Sequence, residues 1–363
     1  MTDRPVLVMA GGTGGHVFPG LAVARALEES GVPVAWLGTR RGLEARLVPA
    51  AGIQISFISV GGLRGKGWMT RLLAPLRVTW ALIQSLGVML KLRPRTVLGM
   101  GGFVTGPAGV AAWLTRRPLV IHEQNAVAGL TNRLLSRIAG QVLEAFPRSF
   151  PPSRKVATVG NPVRPEIAAL PEPEIRFAGR TGRPRLLVFG GSQGAMRLND
   201  VVPAALAMLP EDLRPEIVHQ TGERTLETAR DAYRAAGIVA HIRPFIDDMA
   251  GAYGWADVAI CRSGALTVTE LAAAGLGAIL VPFPAAVDDH QTRNAEFLVS
   301  AGAARILQER DLTPASLAET LRPILADPDM RRRMAVAARS TARPEALARI
   351  VDVCLGDGRA DRD

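Results

Sequence analysis

The segment VLVMAGGTGGH at residues 6–16 runs from a short apolar stretch directly into a glycine-rich turn, and a helical pattern follows it. A continuous hydrophobic strand with a helix after it is typical of a parallel sheet that is covered on both faces. The same order returns at residues 185–199, RLLVFGGSQGAMRLN. We therefore predict an α/β protein of two similar units, each a doubly wound parallel sheet that begins with a glycine-rich turn.

Further apolar runs that end in glycine or polar residues support the first sheet. They are VAWLG from Val34, TVLGMGG from Thr96 and PLVIHEQN from Pro118. Prolines are then too frequent for long helices between Phe150 and Pro184, and we interpret this stretch as a linker. The Arg- and Ala-rich segment 321–349 is predicted to be helical.

Composition limits the class of protein. The 363 residues suffice for two domains, and the formal net charge of +10 favours an anionic partner. The two cysteines, Cys261 and Cys354, do not indicate a disulfide scaffold or a zinc cluster, so we expect a reducing cytoplasm. The apolar start at Val6–Ala10 is too short for a secretory signal, and Val78–Leu90 is shorter than the ~20 residues of a spanning helix. We recognise no nucleic-acid-binding motif and expect no nucleic acid partner.

The first glycine turn differs from a dinucleotide fingerprint. The third glycine of G-x-G-x-x-G is replaced by Val17, and Arg40 and Arg41 follow the second strand where a NAD-binding protein has an acid. This disfavours NAD, whereas an arginine there is compatible with NADP. Glycines that run into a helix still present N–H groups to a phosphate. The alternative is a tight turn without a ligand.

Three further groups of residues in the first half are candidates. His16, at the mouth of the turn, is a candidate general base, because an imidazole titrates near neutral pH; the alternative is a structural hydrogen bond. GMGGFVTGP at residues 99–107 is a second glycine-rich strand exit, which is either part of an anion site or a packed turn. His122, Glu123 and Asn125 are predicted to leave the end of a strand, with helix capping as the alternative.

In the second half, the helix that begins at Ala265 directs its N-terminus at the predicted cleft, where its dipole would stabilise a diphosphate. Glu270 on this helix could accept hydrogen bonds from a ribose diol, or it is an ordinary solvated glutamate. Two D-x-D strings, at residues 327–329 and 361–363, lie at a helix start and in the C-terminal tail, and we predict no metal site.

The stretch at residues 61–95 mixes basic with large apolar residues. Its first part, with Arg64, Arg71, Trp68 and Trp80, predicts a patch that lies on an anionic membrane. Its second part is apolar nearly all round and is predicted to be a core helix.

Nine ordered motifs resemble the MurG-type family of N-acetylglucosamine transferases of bacterial peptidoglycan synthesis. They are GGTGGHVFPGLAVA, GGFVTGP, HEQNAVAGLTNR, GNPVR, GGSQGA, HQTG, PFIDDMA, CRSGALTVTE and DDHQTRNA. The resemblance runs from the first strand to about Ile306. It implies a GT-B fold, in which two Rossmann-like domains face a central cleft.

The implied reaction is inverting transfer of N-acetylglucosamine from UDP-N-acetylglucosamine to the 4-hydroxyl of the muramoyl sugar of lipid I, which gives lipid II. The implied domains are an acceptor- and membrane-binding domain at 1–162, a UDP-sugar domain at 163–340 and a tail at 341–363 that packs back toward the first. The implied location is peripheral, on the cytoplasmic face of the inner membrane. Cell-wall biogenesis, cell shape and cell division are the expected processes, with other cell-wall synthesis proteins as further partners and no cofactor.

The resemblance also assigns residues. The residues expected to hold UDP-N-acetylglucosamine are Thr13, Gly14, Gly15, Asn125, Arg164, Ser192, Ile246, Ala265, Leu266, Thr267, Val268, Thr269, Glu270 and Gln291. Ile246 would meet uracil through its backbone, Glu270 the ribose, and Gln291 and Asn125 the sugar. The acceptor pyrophosphate is expected at Gly12, Gly101, Gly102 and Thr105.

The resemblance does not assign the base, so His16 is the first candidate, with Glu123 and His122 behind it. Some family members have paired glutamines at the sugar-binding stretch, where this chain has His290-Gln291, and the role of His290 stays open. The alternatives are a UDP-N-acetylglucosamine epimerase of the same architecture, an NADP-dependent oxidoreductase and a non-catalytic membrane scaffold.

Overall fold

The computed structural model describes residues 4–61, 74–191 and 194–356. The chain divides into two compact units: unit 1 is formed by residues 1–162 with 345–363, and unit 2 by residues 163–344.

Within its described residues, unit 1 has a parallel sheet of seven strands in the order β3-β2-β1-β4-β5-β6-β7. The strands are β1 (Val6–Ala10), β2 (Val34–Gly38), β3 (Gln54–Phe57), β4 (Thr96–Gly101), β5 (Leu119–Glu123), β6 (Gln141–Glu144) and β7 (Val156–Thr158). The strand order reverses between β1 and β4. The turns that follow these two strands therefore lie side by side at the carboxyl edge, where open α/β sheets bind ligands.

Helices cover both faces of this sheet. They are α1 (Gly14–Glu29), α2 (Glu44–Ala50), α3 (Ala74–Leu92), α4 (Thr105–Leu114) and α5 (Leu130–Leu135). Along β1, Val6 and Val8 pack into the core beneath α1, whereas Leu7 and Met9 pack into the core beneath α3 and α4. All four side chains are fully buried, which explains why the strand is apolar without alternation.

Unit 2 repeats the arrangement, with a parallel sheet of six strands in the order β10-β9-β8-β11-β12-β13 across its described part. The strands are β8 (Arg185–Phe189), β9 (Glu216–Gln220), β10 (His241–Arg243), β11 (Val258–Cys261), β12 (Ala278–Leu280) and β13 (Ala304–Ile306). The helices are α6 (Pro165–Ala168), α7 (Pro173–Phe177), α8 (Met196–Ala207), α9 (Leu226–Ala235), α10 (Met249–Trp255), α11 (Ala265–Ala274), α12 (His290–Ser300), α13 (Pro314–Ala326) and α14 (Pro328–Ser340). The prediction of two Rossmann-like, doubly wound units is confirmed.

A last helix, α15 (Ala346–Leu355), belongs to unit 1 and packs against α1. Its Ile350 and Cys354 are fully buried in the core on the α1 side of the sheet. The guanidinium of Arg95 donates to the carbonyl of Leu355 at 2.8 Å and ties the end of this helix to the start of β4.

The interpretation of Phe150–Pro184 as a linker is wrong in part, because the boundary between the units at residues 162 and 163 lies inside it but the residues on either side belong to the two units. This stretch contains β7 of unit 1 and the short helices α6 and α7 of unit 2. Pro165 and Pro173 occupy the first position of their helices, where the missing N–H has no helical partner in any case. These two prolines therefore begin short helices.

The prediction of a core helix after Val78 is also wrong in part. Helix α3 buries Ala81, Ser85 and Met89 on one face. Its opposite face exposes large apolar side chains at helical spacing, namely Leu76, Trp80, Ile83 and Leu90. Arg64, Trp68 and Arg71 of the predicted membrane patch lie outside the described residues. Among the helices that are described, none has both the length and the hydropathy needed to cross a membrane.

Candidate functional site

A buried carboxylate accepts a hydrogen bond from the turn between β1 and α1 and stabilises it. Glu44, at the start of α2, is fully buried and accepts hydrogen bonds from the Gly12 N–H at 3.0 Å and from the Thr39 N–H and hydroxyl at 2.9 and 2.7 Å. Gly12 has a φ of +94°, which glycine adopts without strain. Its N–H donates to Glu44, which argues against Gly12 as a donor to the acceptor pyrophosphate.

The glycines at the end of β4, Gly101 and Gly102, are explained by close packing. A Cβ on Gly102 would lie 2.3 Å from the carbonyl oxygen of Gly11, and one on Gly101 would lie 2.8 Å from the ring of His16. The buried hydroxyl of Thr105 donates to the carbonyl of Gly101 at 2.8 Å. The geometry therefore argues against Thr105 as a pyrophosphate ligand, and it gives Gly101 and Gly102 a packing role.

The first turn of α1 is open to a ligand. Thr13 is the N-cap residue, its side chain makes no capping hydrogen bond, and both Thr13 and Gly15 are exposed. The first N–H groups of a helix have no partner within it and carry a partial positive charge. Thr13, Gly14 and Gly15 can therefore receive an anionic or hydroxyl-rich ligand.

His16 is half-buried in the same turn of helix. Its Nδ1 lies 2.9 Å from Oε1 of Gln124, which directly follows β5. An amide oxygen only accepts hydrogen bonds, so Nδ1 carries a hydrogen, and in the neutral ring Nε2 then keeps the lone pair. This is the form of imidazole that a general base needs.

His122 and Glu123 do not leave the strand end as predicted, because they are the last two residues of β5 and are buried. Burial lowers the pKa of His122 to about 4, and its Nε2 donates to the carbonyl of Gly160 at 2.9 Å. The Glu123 carboxylate accepts from Gly129 N–H at 3.1 Å and from the amide of Asn132 at 2.9 Å, among others. Neither side chain is free to take a proton from an acceptor, so the geometry argues against both as the base.

Asn125 lies just beyond them. Its backbone N–H and its amide donate to Oε1 of Glu123 at 3.0 and 3.2 Å. Its carbonyl accepts from Ser149 at 3.0 Å. Glu123 thus orients the residue that the resemblance assigns to the donor sugar.

In unit 2, the side-chain amide of Gln220 makes hydrogen bonds to both the turn after β8 and the segment after β10. Gln220 donates to the carbonyl of Gly191 at 2.8 Å and accepts from the N–H of Ile246 at 3.0 Å. Because this N–H is engaged, only the carbonyl of Ile246 remains for a nucleobase, where it can accept from an imide N–H. Ser192 lies outside the described part of the chain.

Helix α11 begins at the edge next to this turn, with Gly264 as N-cap and no side-chain cap. The hydroxyl of Ser263, directly before it, is buried and has no hydrogen-bond partner. The N–H groups of Ala265, Leu266 and Thr267 face the same end of the helix. An anion at this N-terminus would satisfy both kinds of donor.

The rest of helix α11 is less available to a ligand. Val268 is buried in the core of unit 2, and the hydroxyl of Thr269 donates to the carbonyl of Ala265 at 2.9 Å. Of the residues 265–270 assigned to the donor, the first turn and Glu270 are therefore the parts that can contact it.

Glu270 is held by two neighbours. Its Oε1 accepts from Arg164 at 3.0 and 3.1 Å, and its Oε2 accepts from the hydroxyl of Tyr253 at 3.1 Å. Burial raises the pKa of Glu270, and Arg164 opposes this shift. The carboxylate retains lone pairs for a diol, and Arg164 lies beside it as a cation for a phosphate.

Gln291 lies in the first turn of α12, and its Oε1 accepts from the N–H of Phe283 at 2.9 Å. The amide NH₂ is the part of its side chain suited to donate to a sugar oxygen.

In the D-x-D string at 327–329, the Asp327 side chain caps α14 by accepting from the N–H of Met330 at 3.0 Å. The second string lies beyond the last described residue.

Four residues of these two sites were missed from the sequence: Glu44, Gln124, Gln220 and Tyr253. Gln124 and Gln220 had a usable signal, since each is a polar residue at or directly after a strand end. Glu44 follows β2 on the helix side of the turn, six residues past the end of the strand. Tyr253 had no local signal.

Comparisons with known proteins agree in both halves. The model of the glycosyltransferase family 28 N-terminal domain matches residues 6–144, and that of the family 28 C-terminal domain matches residues 185–350. A protein of Alkalilimnicola ehrlichii, named UDP-N-acetylglucosamine--N-acetylmuramyl-(pentapeptide) pyrophosphoryl-undecaprenol N-acetylglucosamine transferase, is 59% identical over 355 residues, 98% of this chain and 99% of the relative. A relative of the same name from Marinobacter nauticus is 57% identical over 358 residues, with 98% and 99% covered. The crystal structure of Acinetobacter baumannii MurG superposes with a TM-score of 0.87 at 42% identity, covering 97% of this chain and 99% of that one.

Proposed function

Because this chain belongs to glycosyltransferase family 28, we propose that it is a UDP-N-acetylglucosamine-dependent transferase of peptidoglycan synthesis. It moves N-acetylglucosamine to the undecaprenyl-pyrophosphoryl-muramoyl-pentapeptide, lipid I, and forms lipid II. The observation that carries this proposal is the near-full-length identity to relatives of that name, with GT-B-type α/β units in both halves. The epimerase, the NADP-dependent oxidoreductase and the scaffold are not favoured.

The two sites are suited to different parts of the reaction: the site in unit 1 to removal of the acceptor proton, and the site in unit 2 to stabilisation of the leaving UDP. In unit 1, Nε2 of His16 would take the proton of the acceptor 4-hydroxyl as its oxygen attacks C1 of the donor sugar. In unit 2, the bond from C1 to the UDP oxygen would break, and the electron pair would leave on the diphosphate. The N-terminus of α11, with Ser263 and Arg164, would stabilise that developing charge. Glu270 would accept from the ribose and the Ile246 carbonyl from uracil.

The direct test is transfer of labelled N-acetylglucosamine from the UDP-sugar to a short-chain lipid I analogue, with EDTA present. We expect a labelled disaccharide product and stoichiometric UDP. A change of sugar configuration without acceptor would support an epimerase instead, and NADP turnover an oxidoreductase. If folded protein gives no transfer product, the proposal fails. Strict dependence on a metal would overturn only the assignment of the diphosphate charge to α11, Ser263 and Arg164.

An exposed apolar surface in unit 1 supports peripheral membrane binding. We call it the helical patch: Leu76, Trp80, Ile83 and Leu90 of α3, Trp113 and Leu114 of α4, and Leu130 and Leu134 of α5. The three helices pack side by side. Arg77, Arg116, Arg133 and Arg137 are exposed on or directly after the same helices. Large apolar side chains beside arginines are suited to an anionic lipid surface, where the undecaprenyl chain of lipid I would be embedded.

Replacing Trp80, Ile83 and Trp113 together with glutamine should weaken binding to vesicles with anionic lipid by about tenfold or more, because three apolar side chains no longer insert. Co-sedimentation at two salt concentrations measures this. The control exchanges Ile175 and Val239 for glutamine, since both are exposed in unit 2. If the triple variant binds like the control, the helical patch does not dock on membranes.

A further inference from the structure

His16, Gln124 and His122 form a row of three hydrogen-bonded side chains that ends at a backbone carbonyl inside unit 1. Nε2 of His122 lies 2.9 Å from the carbonyl oxygen of Gly160, and Nδ1 of His122 lies 3.0 Å from Nε2 of Gln124. Oε1 of Gln124 then lies 2.9 Å from Nδ1 of His16. His122 and Gln124 are both buried, and the amide of Asn161 donates to the backbone carbonyl of Gln124 at 3.1 Å, which holds the row in place.

The carbonyl of Gly160 at one end determines which nitrogen atoms in this row carry a hydrogen. A carbonyl only accepts, so Nε2 of His122 must donate. Burial lowers the pKa of His122 to about 4, so near neutral pH the ring has one hydrogen and its Nδ1 accepts. Gln124 must therefore direct its NH₂ group at His122 and its oxygen at His16. The orientation of the amide follows from its partners, and Nδ1 of His16 is left as a donor.

We propose that Gln124 is a positioning residue for the transfer reaction, which keeps His16 in the Nδ1–H tautomer so that its Nε2 presents a lone pair to the acceptor hydroxyl. This inference rests on the proposed function, with His16 as base. His122, which the sequence predicted as an alternative base, instead orients Gln124 by accepting a hydrogen bond from its NH₂ group. The ring of His16 also packs closely against Gly101, since a Cβ on Gly101 would lie only 2.8 Å from the ring.

No proton passes along the row during the reaction. The acceptor O–H bond breaks and an N–H bond forms at Nε2 of His16, whose Nδ1–H stays on the oxygen of Gln124. The acceptor oxygen bonds to C1 of the sugar, and UDP leaves with the electron pair. An imidazolium formed in this way keeps both hydrogens in place, which avoids reorientation at the transition state.

In the part of the chain that the structure describes, the titratable groups on the elements around His16 are few. They are His122 and Glu123 of β5, and Glu44, which holds Gly12 in the adjoining turn. The first turn of α1 and residues 101–105 at the end of β4 and directly after it contribute no other ionisable side chain. A charge introduced at position 124 is therefore expected to act directly on His16.

Two measurements test the proposal. The first is the ring tautomer, read from long-range ¹H–¹⁵N spectra of the [¹⁵N]histidine-labelled full chain at pH 7.5. The chain has five histidines, and spectra of His16→Ala and His122→Ala assign the two that matter. We expect Nδ1–H at His16 and Nε2–H at His122. Nε2–H at His16, or a mixture of tautomers there, would overturn the proposal, and this readout needs no transfer activity.

The second measurement compares Gln124→Met with Gln124→Glu in steady-state kinetics. The methionine variant keeps the volume but neither hydrogen bond, and kcat should fall about 10- to 100-fold with little change in KM for UDP-N-acetylglucosamine. The glutamate variant should retain turnover at high pH, while the acidic limb of its kcat/KM profile moves to higher pH by about one unit or more, because a carboxylate stabilises the imidazolium.

Gln54→Met is the matched control, since Gln54 is an exposed residue of β3. If both Gln124 variants keep the wild-type pH profile and kcat, Gln124 is only structural and the proposal is wrong. If wild-type protein shows the expected tautomers but makes no lipid II, the proposed function fails while the arrangement of the row stands.

Discussion

Replacement of His16 by alanine is expected to lower kcat for N-acetylglucosamine transfer by about 10²- to 10⁴-fold, the range that a positioned general base contributes. The affinity for UDP-N-acetylglucosamine should change little, because the lone pair on Nε2 acts on the acceptor proton in the transition state. Single-turnover kinetics with a soluble lipid I analogue, together with calorimetric titration of the donor, separate the two quantities.

His241→Ala is the matched control, since His241 is exposed on β10. A parallel loss of donor affinity and turnover in His16→Ala would assign His16 a structural role in the turn, where its ring lies against Gly101. Turnover at the control level would exclude His16 as the base. Because the buried contacts of His122 and Glu123 argue against both, another base would then have to be sought.

Replacement of Glu44 by alanine is expected to destabilise the edge of unit 1 by about 1 to 3 kcal/mol, because three donors in partly buried hydrogen bonds lose their partner. The donors are the N–H groups of Gly12 and Thr39 and the Thr39 hydroxyl. Hydrogen exchange should rise in peptides that cover β1, β2 and the turn at residues 11–13. Peptides of unit 2 serve as an internal reference.

Two further variants sharpen this result. Glu29→Ala removes an exposed carboxylate at the end of α1 and should leave exchange unchanged. Glu44→Gln keeps the volume and one oxygen, which can still accept from Thr39, but its NH₂ group would face the N–H of Gly12. Exchange should then rise mainly in the turn. Wild-type protection in Glu44→Ala would show that the carboxylate does not hold the turn.

A sequence pattern can predict local structure where the physical cause is local. Apolar runs such as Val6–Met9 indicated buried parallel strands, and the repeat of a strand, glycines and a helix at residues 185–199 indicated the second unit. Prolines were misleading between Phe150 and Pro184, because a proline at the first position of a short helix and one in a linker look alike in sequence.

The exposed face of α3 shows a related limit. An apolar helix is predicted to be buried all round, but Ala81 and Met89 are buried while Trp80 and Ile83 remain exposed. Hydropathy alone does not report whether both faces of a helix have a protein neighbour.

The sequence by itself therefore determined the two-unit α/β architecture, the glycine turns at the strand ends, and the position of His16 beside one of them. Only the tertiary structure decided how the polar groups at those turns are used. The N–H of Gly12 is taken by Glu44, 32 residues away, and Gly160 orients Gln124 through His122. The reason is physical: the apolar runs and glycines that mark strands, helices and turns lie among near neighbours in the chain, whereas a side-chain hydrogen bond depends on which distant groups the folded sheet brings within about 3 Å.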